Sequence, residues 1–124
     1  MAGRLVVTTL NNDTGVLATQ NGMTGIAKAW VNFNGTAATV TQAYNVSSIT
    51  RNTTGTYTIN FTTNLASANY AVVGNSNLIG SAANSSATRS SSAGQRTVSS
   101  VQVETWLNGF LADSTMVDVA VFSA

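Results

Sequence analysis

The chain consists of short segments in which apolar and polar residues alternate, separated by turn-forming residues. The clearest segment runs from Thr56 to Thr62, where Tyr57, Ile59 and Phe61 fall on one face. A period of two residues is that of a β-strand with one buried face. The preceding Gly55 suits the positive φ of a hairpin turn. We therefore expect the three large side chains to form the centre of a core, where each contributes about 1.5–3 kcal/mol when buried.

The segment from Lys28 to Asn34 has the same period and carries an aromatic side chain on its polar face. Ala29, Val31 and Phe33 share the apolar face, whereas Trp30 falls on the other. A tryptophan in that position can be an interface anchor, part of a second-sheet core, or a stacking platform for a sugar. Among these, we favour the interface or core interpretation over the sugar platform.

The remaining segments predict an almost entirely β protein. Strands are expected at 5–10, 39–44, 46–51, 70–74, 98–106 and 116–122, and one helical turn is expected at 64–69. Many short strands with spaced turns indicate an all-β fold, a β-sandwich of jelly-roll-like type, with an immunoglobulin-like topology as the alternative. We assign residues 1–26 to an N-terminal strand and extended arm, and residues 27–124 to the sandwich domain.

The stretch from Ser81 to Gly94 has no large apolar side chain. It therefore cannot bury enough area to offset the entropy of ordering, and we predict a mobile surface loop. Such a loop either takes part in recognition or is a tolerated insertion. We favour the insertion, because Ser and Ala side chains offer little area for binding.

Composition excludes several classes of partner. The chain has 124 residues, enough for one domain with a core of its own, and 19 Thr, 14 Ser and 14 Asn give it a neutral surface rich in hydroxyl and amide groups. Charged residues make up 7% and the net charge is +1, with no Lys/Arg cluster, so we expect no nucleic-acid or membrane binding. No apolar run has the length of a signal peptide or a membrane span, and we expect the chain to fold where it is made.

Few residues are suited to catalysis. Histidine and cysteine are absent, which excludes catalytic triads, thiolate chemistry, disulfides and His-bearing metal sites. The carboxylates are Asp13, Glu104, Asp113 and Asp118. Glu104 and Asp118 on paired strands would suit glycoside hydrolysis, although solvated strand residues explain both more simply. Asp113 lacks the clustered oxygen ligands of a calcium site. We therefore expect no enzyme activity, no metal and no cofactor.

The sheet edges are poorly protected. Natural proteins blunt exposed edges with proline and charged residues, but this chain has no proline and few charges. We therefore expect neighbouring subunits to cover these edges, which predicts an oligomer without fixing the number of subunits.

Four blocks follow one another in a recognisable order: Lys28–Gly35 (KAWVNFNG), Tyr44–Ile49 (YNVSSI), Gly55–Thr62 (GTYTINFT) and Val117–Phe122 (VDVAVF). The order and the sequences of these blocks resemble those of the distal β-domains of tail fibres and tailspikes from marine and freshwater phages, particularly cyanophages. They also resemble small virion proteins related to those domains. The resemblance extends over roughly three quarters of the chain and is weakest at 75–95. It implies a component of a phage particle, usually a homotrimer.

Two non-enzymatic functions are compatible with these features. The first is a capsid decoration, or cement, protein that trimerises on the outer capsid surface and reinforces contacts between major capsid subunits, after synthesis and folding in the host cytoplasm. We favour it because only about 26 residues precede the blocks, whereas a fibre subunit also needs an attachment region and a shaft. The apolar run Leu5, Val6, Val7 and Leu10 is then the candidate contact with the capsid or with an adjacent subunit.

The second function is the receptor-binding distal domain of a fibre or tailspike. Trp30 and Tyr44 are then candidate contacts for a host-surface glycan, with Trp106 and Asn-rich loops as further candidates. A decoration protein with many copies could also bind the host weakly through avidity.

A second group of large apolar residues surrounds the Asn108-Gly109 pair. With Trp30, these residues are the candidates for the subunit interface: Trp106, Leu107, Phe110 and Leu111. An equally weighted alternative is that the group closes one end of the sandwich within a single subunit.

Overall fold

A computed structural model describes residues 3, 6, 8–12, 15–18, 25–77, 86–90 and 95–123. Their secondary structure is almost entirely β. The strands are β1 (Thr9–Asn12), β2 (Gly15–Ala18), β3 (Ala29–Asn34), β4 (Thr39–Tyr44), β5 (Val46–Thr53), β6 (Thr56–Phe61), β7 (Ala71–Asn77), β8 (Ser86–Ser90), β9 (Ser100–Leu107), β10 (Phe110–Leu111) and β11 (Met116–Phe122).

Two antiparallel sheets pack against each other. The first sheet has the order β4-β3-β11-β7. In the second sheet, β5, β6 and β9 are neighbours, and β10 returns along β9 as a short hairpin. β8 lies on the far edge of β9, because Val103 is the register partner of both Tyr57 on β6 and Ser90 on β8. β1 and β2 form a separate two-stranded hairpin.

The core lies between the two sheets. The inward residues of the first sheet come from β3 and β11, and those of the second from β6 and β9; the buried apolar strand residues are Ala29, Val31, Phe33, Val117, Val119, Val121, Tyr57, Ile59, Phe61, Val101 and Val103. The rings of Phe33 and Tyr57 meet edge to face across the sandwich at 5.2 Å. The predicted all-β sandwich, with Tyr57, Ile59 and Phe61 at its centre, is confirmed.

Two glycines match the turns in which they lie. Gly55 has φ 70°, as the hairpin between β5 and β6 requires. Gly35 follows β3 and lies against the Tyr57 hydroxyl and the Ser114 carbonyl, where a Cβ atom would overlap both groups. Gly35 therefore allows the first sheet to approach the buried tyrosine of the second.

The predicted mobile loop at 81–94 is wrong for its central part. Residues 86–90 form β8, which pairs with β9 along Val103–Leu107. The prediction considered only side-chain burial, whereas a strand without large apolar side chains can be ordered by backbone hydrogen bonds to a neighbour.

Two other expectations differ from the structure. Residues 64–69 form bends rather than the predicted helical turn. Residues 1–26 were predicted to hold one strand and an extended arm, but residues 15–18 form a second strand, β2, which pairs with β1 in register Leu10 to Leu17. The first strand was expected at 5–10, whereas β1 covers Thr9–Asn12, and the described residues Val6 and Thr8 lie outside it. Leu5 and Val7 lie outside the described residues.

Candidate functional site

The outer face of the first sheet is the most distinctive surface of the described chain. Its side chains form two rows across the four strands. The apolar row contains Tyr44, Trp30, Ala120 and Val73, which are successive register partners on β4, β3, β11 and β7. The polar row beside it contains Gln42, Asn32, Asp118 and Asn75 in the same strand order. These two rows together are called the outer face below.

The apolar row is open to solvent. Tyr44 is 57% exposed, Val73 54% and Trp30 38%. A tryptophan and a tyrosine on directly paired positions present adjacent aromatic surfaces, because cross-strand Cβ atoms lie roughly 4.5–5.5 Å apart. Exposed large apolar groups grouped in this way are typical of a binding or assembly surface.

The polar row is held in place by a side-chain contact. Asn32 Nδ2 donates a hydrogen bond of 2.5 Å to Asp118 Oδ1. Together the rows border a shallow concavity of about 500 Å³, which Trp30, Val73, Gly74, Asn75 and Ala120 help to line. The outer face therefore joins an apolar strip to a strip of amide and carboxylate groups, which suits a neutral partner with both apolar and hydroxyl surfaces.

Asn45 forms the corner that follows Tyr44. It is the single residue between β4 and β5, where the chain passes from the first sheet to the second. Its φ is 54°, and its side chain donates to the carbonyls of Lys28 and Thr63 and accepts from the Thr63 N–H. Beside it, Lys28, Tyr44 and Asn64 border a second concavity of about 570 Å³.

The predicted site residues fall into separate groups. Trp30 and Tyr44, the candidate glycan contacts, are brought together on the outer face. Trp30 therefore belongs to the sheet surface, and the second-sheet core interpretation is wrong for it.

Among the remaining interface candidates, Phe110 is 76% exposed and Leu111 38%, at the tip of the β9–β10 hairpin in the second sheet. Trp106 is half-buried, and its Nε1 donates to Glu104 Oε2 at 3.0 Å. Leu107 is half-buried as well. The exposure of Phe110 shows that it does not close the end of the sandwich within one subunit. Of the arm residues, Val6 is 74% exposed and Leu10 lies in β1.

Glu104 and Asp118 do not form the pair that was considered for glycoside hydrolysis. Glu104 lies on β9 of the second sheet and Asp118 on β11 of the first, and both point outward, on opposite sides of the sandwich. The hypothesis that they face one another on paired strands is therefore wrong. Within the described ranges, no group of three Asp or Glu residues is placed to hold a metal ion. Asp13 lies outside those ranges.

Asp113 is at the centre of a network that closes one end of the second sheet. Its carboxylate accepts hydrogen bonds from the Tyr57 hydroxyl at 2.7 Å, the Gly55 N–H at 2.8 Å and Arg51 Nη2 at 2.7 Å. Partial burial pushes the pKa of Asp113 upward, but the bonds from Arg51, Gly55 and Tyr57 outweigh it and hold the pKa below its ordinary value. Burial, together with the bond to Asp113, raises the pKa of Tyr57 to about 12.

Sequence reasoning missed Val73, Asn45 and the Arg51–Asp113 pair. Val73 was placed in a short apolar strand, and only the register with Ala120 puts it beside Trp30. Asn45 could have been recognised from the sequence, because Asn tolerates the left-handed conformation that a corner between two strands requires. Arg51 and Asp113 are far apart in sequence, and nothing local connects them.

Comparison of the chain with protein-family models, with curated proteins and with solved structures finds no match. In the described part of the chain, no helix is long and apolar enough to cross a membrane.

Proposed function

We propose that this chain is a non-enzymatic structural protein of a phage particle, a homotrimeric decoration protein on the outer capsid surface. The single observation that supports this most is the exposed apolar row across the outer face, where Trp30, Tyr44 and Val73 lie together. A row of large apolar groups on a flat sheet suits contact with another protein surface, where its burial contributes roughly 25 cal/mol per Å². The sequence resemblance to fibre-tip domains and related small virion proteins adds the phage particle to this proposal.

The sheet edges support an assembled state. β4 and β5 are edge strands: within the described residues β4 pairs only with β3, and β5 only with β6. Because one residue joins them, the two unpaired backbone edges lie on the same flank of the sandwich. Neither edge contains proline, and β5 carries a single charged side chain, that of Arg51. Uncovered edges of this kind invite pairing with other chains unless an assembly covers them.

The proposal is tested by the mass of the protein in solution. Light scattering in the presence of a chelator should give the mass of three chains, and Trp30→Ser should lower it while leaving the circular dichroism of the sheet unchanged. Phe110→Ser, an exposed aromatic on the other sheet, tests whether that hairpin also belongs to the interface. A monomeric wild-type protein would contradict the homotrimer.

A second candidate function has an observation of its own. The paired Trp30 and Tyr44 rings lie beside Gln42 and Asn32, so an aromatic surface borders amide groups. Sugars offer an apolar ring face and a hydroxyl edge, and this arrangement suits both. We therefore keep the receptor-binding domain of a tail fibre or tailspike, specific for a host-surface glycan, as the alternative.

Glycan binding can be separated from assembly. Calorimetry with neutral oligosaccharides or host-surface polysaccharide should show binding that Tyr44→Ala abolishes and Phe110→Ala leaves unchanged. Binding that is equal in both variants would place the glycan elsewhere on the protein. No binding at millimolar ligand would remove the alternative and leave the structural function.

A further inference from the structure

We propose that the N-terminal hairpin formed by β1 and β2 of one copy docks on the outer face of the next copy and covers its apolar row. This inference rests on the proposed function, because it names the partner of the surface that the function requires. The partner is a second copy of this chain, and the contact joins two different surfaces rather than the same surface twice.

The hairpin needs a surface to pack against. β1 and β2 pair with each other and belong to neither sheet of the sandwich. A two-stranded hairpin is marginally stable on its own in water, so a hairpin of eight strand residues requires packing against something else. Its strands, TLNN and GVLA, contain no charged residue, and Leu10 and Leu17 are register partners. A neutral, partly apolar surface is therefore the fitting complement.

The outer face remains exposed within one chain. Tyr44 and Val73 are each more than half exposed although the same chain carries the hairpin. Two further apolar residues of the arm region, Val6 and Ile26, are 74% and 62% exposed. A single copy thus leaves apolar area open on the arm and on the outer face, and a neighbour that exchanges arms buries both.

The segment that joins the hairpin to the sandwich is long enough to reach a neighbouring copy. The apolar row lies at the start of β3, with Trp30 as its second residue, which is the end of the sheet where the arm joins the sandwich. Twelve residue steps separate Ala18 from Trp30, and an extended chain covers at most roughly 3.3–3.6 Å per step, about 40 Å in all. A four-stranded sheet is only about 15 Å wide, at roughly 4.8 Å between strands. The hairpin of one copy can therefore reach the outer face of an adjacent copy.

The geometry also matches the proposed symmetry. Contact between two identical outer faces would be isologous and would give twofold dimers. A contact from arm to face is heterologous, and it closes into a ring when the rotation between copies permits. Arm exchange around a threefold axis would give each copy one donated hairpin and one covered face, which satisfies all three copies equally.

The test uses the absence of cysteine from the chain. Leu10→Cys and Val73→Cys are placed in two differently tagged full-length chains, which are co-expressed, oxidised and separated on a non-reducing gel. We expect a two-chain product that contains one chain of each type. A double variant with both cysteines should give covalent species of up to three chains. Crosslinks confined to single chains would show that each hairpin covers its own face, and would overturn the inference.

Two matched controls set the background. Asn11→Cys with Val73→Cys tests the neighbouring hairpin position, which alternates to the opposite side of the strand. Leu10→Cys with Ser48→Cys tests an exposed position on β5 of the second sheet. Both should crosslink at least several-fold less than Leu10→Cys with Val73→Cys. Equal yields in all three combinations would indicate random collision and contradict docking.

Failure of the inference is distinguishable from failure of the proposed function. A trimer by light scattering without the Leu10 to Val73 crosslink would overturn the docking and leave the structural function intact. A monomer that is absent from purified particles would overturn both. If Trp30→Ala abolished glycan binding without changing the mass of the trimer, the outer face would be a glycan-binding site. The proposed docking of the hairpin would then be wrong.

Discussion

Asp113 binds three groups that lie close together in the chain but far from Asp113 itself: the Arg51 side chain on β5, the Gly55 N–H in the β5–β6 turn and the hydroxyl of the buried Tyr57. Gly55 and Tyr57 each donate one hydrogen bond to this carboxylate, and Arg51 donates to it from both Nε and Nη2. Because hydrogen bonds to a charged group are stronger than neutral ones, this network holds the loop after β10 against the second sheet. The Arg51 side chain is 36% exposed, so solvent screens its ion pair with Asp113, whereas the Tyr57 side chain that donates to the same carboxylate is fully buried.

Ionisation of Tyr57 should lower the stability of the folded protein at alkaline pH. Its folded pKa is raised from 10.0 to about 12, so the neutral hydroxyl is favoured in the folded state. The contribution of the neutral Tyr57 hydroxyl to the free energy of unfolding is fully present below pH 10. It should be lost as the pH rises from about 10 to about 12. Melting temperatures measured across this window should fall more steeply for the wild type than for Tyr57→Phe.

At neutral pH, Tyr57→Phe should cost about 1–3 kcal/mol, because Asp113 loses one donor. Identical pH profiles for the wild type and Tyr57→Phe would show that another group controls alkaline unfolding.

Asn45 should contribute both a backbone conformation and a set of hydrogen bonds. Asn45→Gly keeps the left-handed conformation easily accessible but removes the three side-chain bonds, whereas Asn45→Ala removes the bonds and also strains φ. We expect the free energy of unfolding, measured in urea, to decrease by about 1–3 kcal/mol for Asn45→Gly and by roughly 1 kcal/mol more for Asn45→Ala. Equal losses would show that the conformation contributes nothing.

At the scale of strands, the parts that could be predicted are those with a local period. β4 and β11 lie at the predicted residues, and β3, β5, β6, β7 and β9 lie within a few residues of the predicted ranges. β8 was missed because it has no large apolar side chain, and β2 because it has only four residues. Both strands form by pairing with another strand, which a local pattern does not reveal. Pairing between distant strands, such as β3 with β11, leaves no local period to read.

Replacing residues 81–94 with a short Gly-Ser linker should destabilise the protein because it removes β8, whereas replacing a mobile loop would have little effect. Without β8, the edge of β9 along Val103–Leu107 would lose its backbone partner. We expect a lower melting temperature by several degrees and a stronger tendency to aggregate, monitored by calorimetry and light scattering. A melting temperature and solubility equal to those of the wild type would mean that β8 adds nothing to the sheet.

At the scale of the whole molecule, half of the candidate site could be predicted and half could not. Trp30 was singled out because the alternation placed it opposite Phe33, and its direction away from the core is observed. Tyr44 was named as a glycan contact, and its position beside Trp30 comes from the β3–β4 register. Val73 and Ala120 complete the apolar row through β11, whose place in the centre of the first sheet is a property of the tertiary fold alone.

The central claim is that this protein is a structural part of the particle surface. It is tested most directly by quantitative mass spectrometry of purified particles and of tailless capsids from the same preparation. The account predicts that this chain is present in a fixed, high ratio to the major capsid protein and is retained when tails are removed. A few copies per particle that are lost with the tails, or absence from the particle altogether, would contradict it.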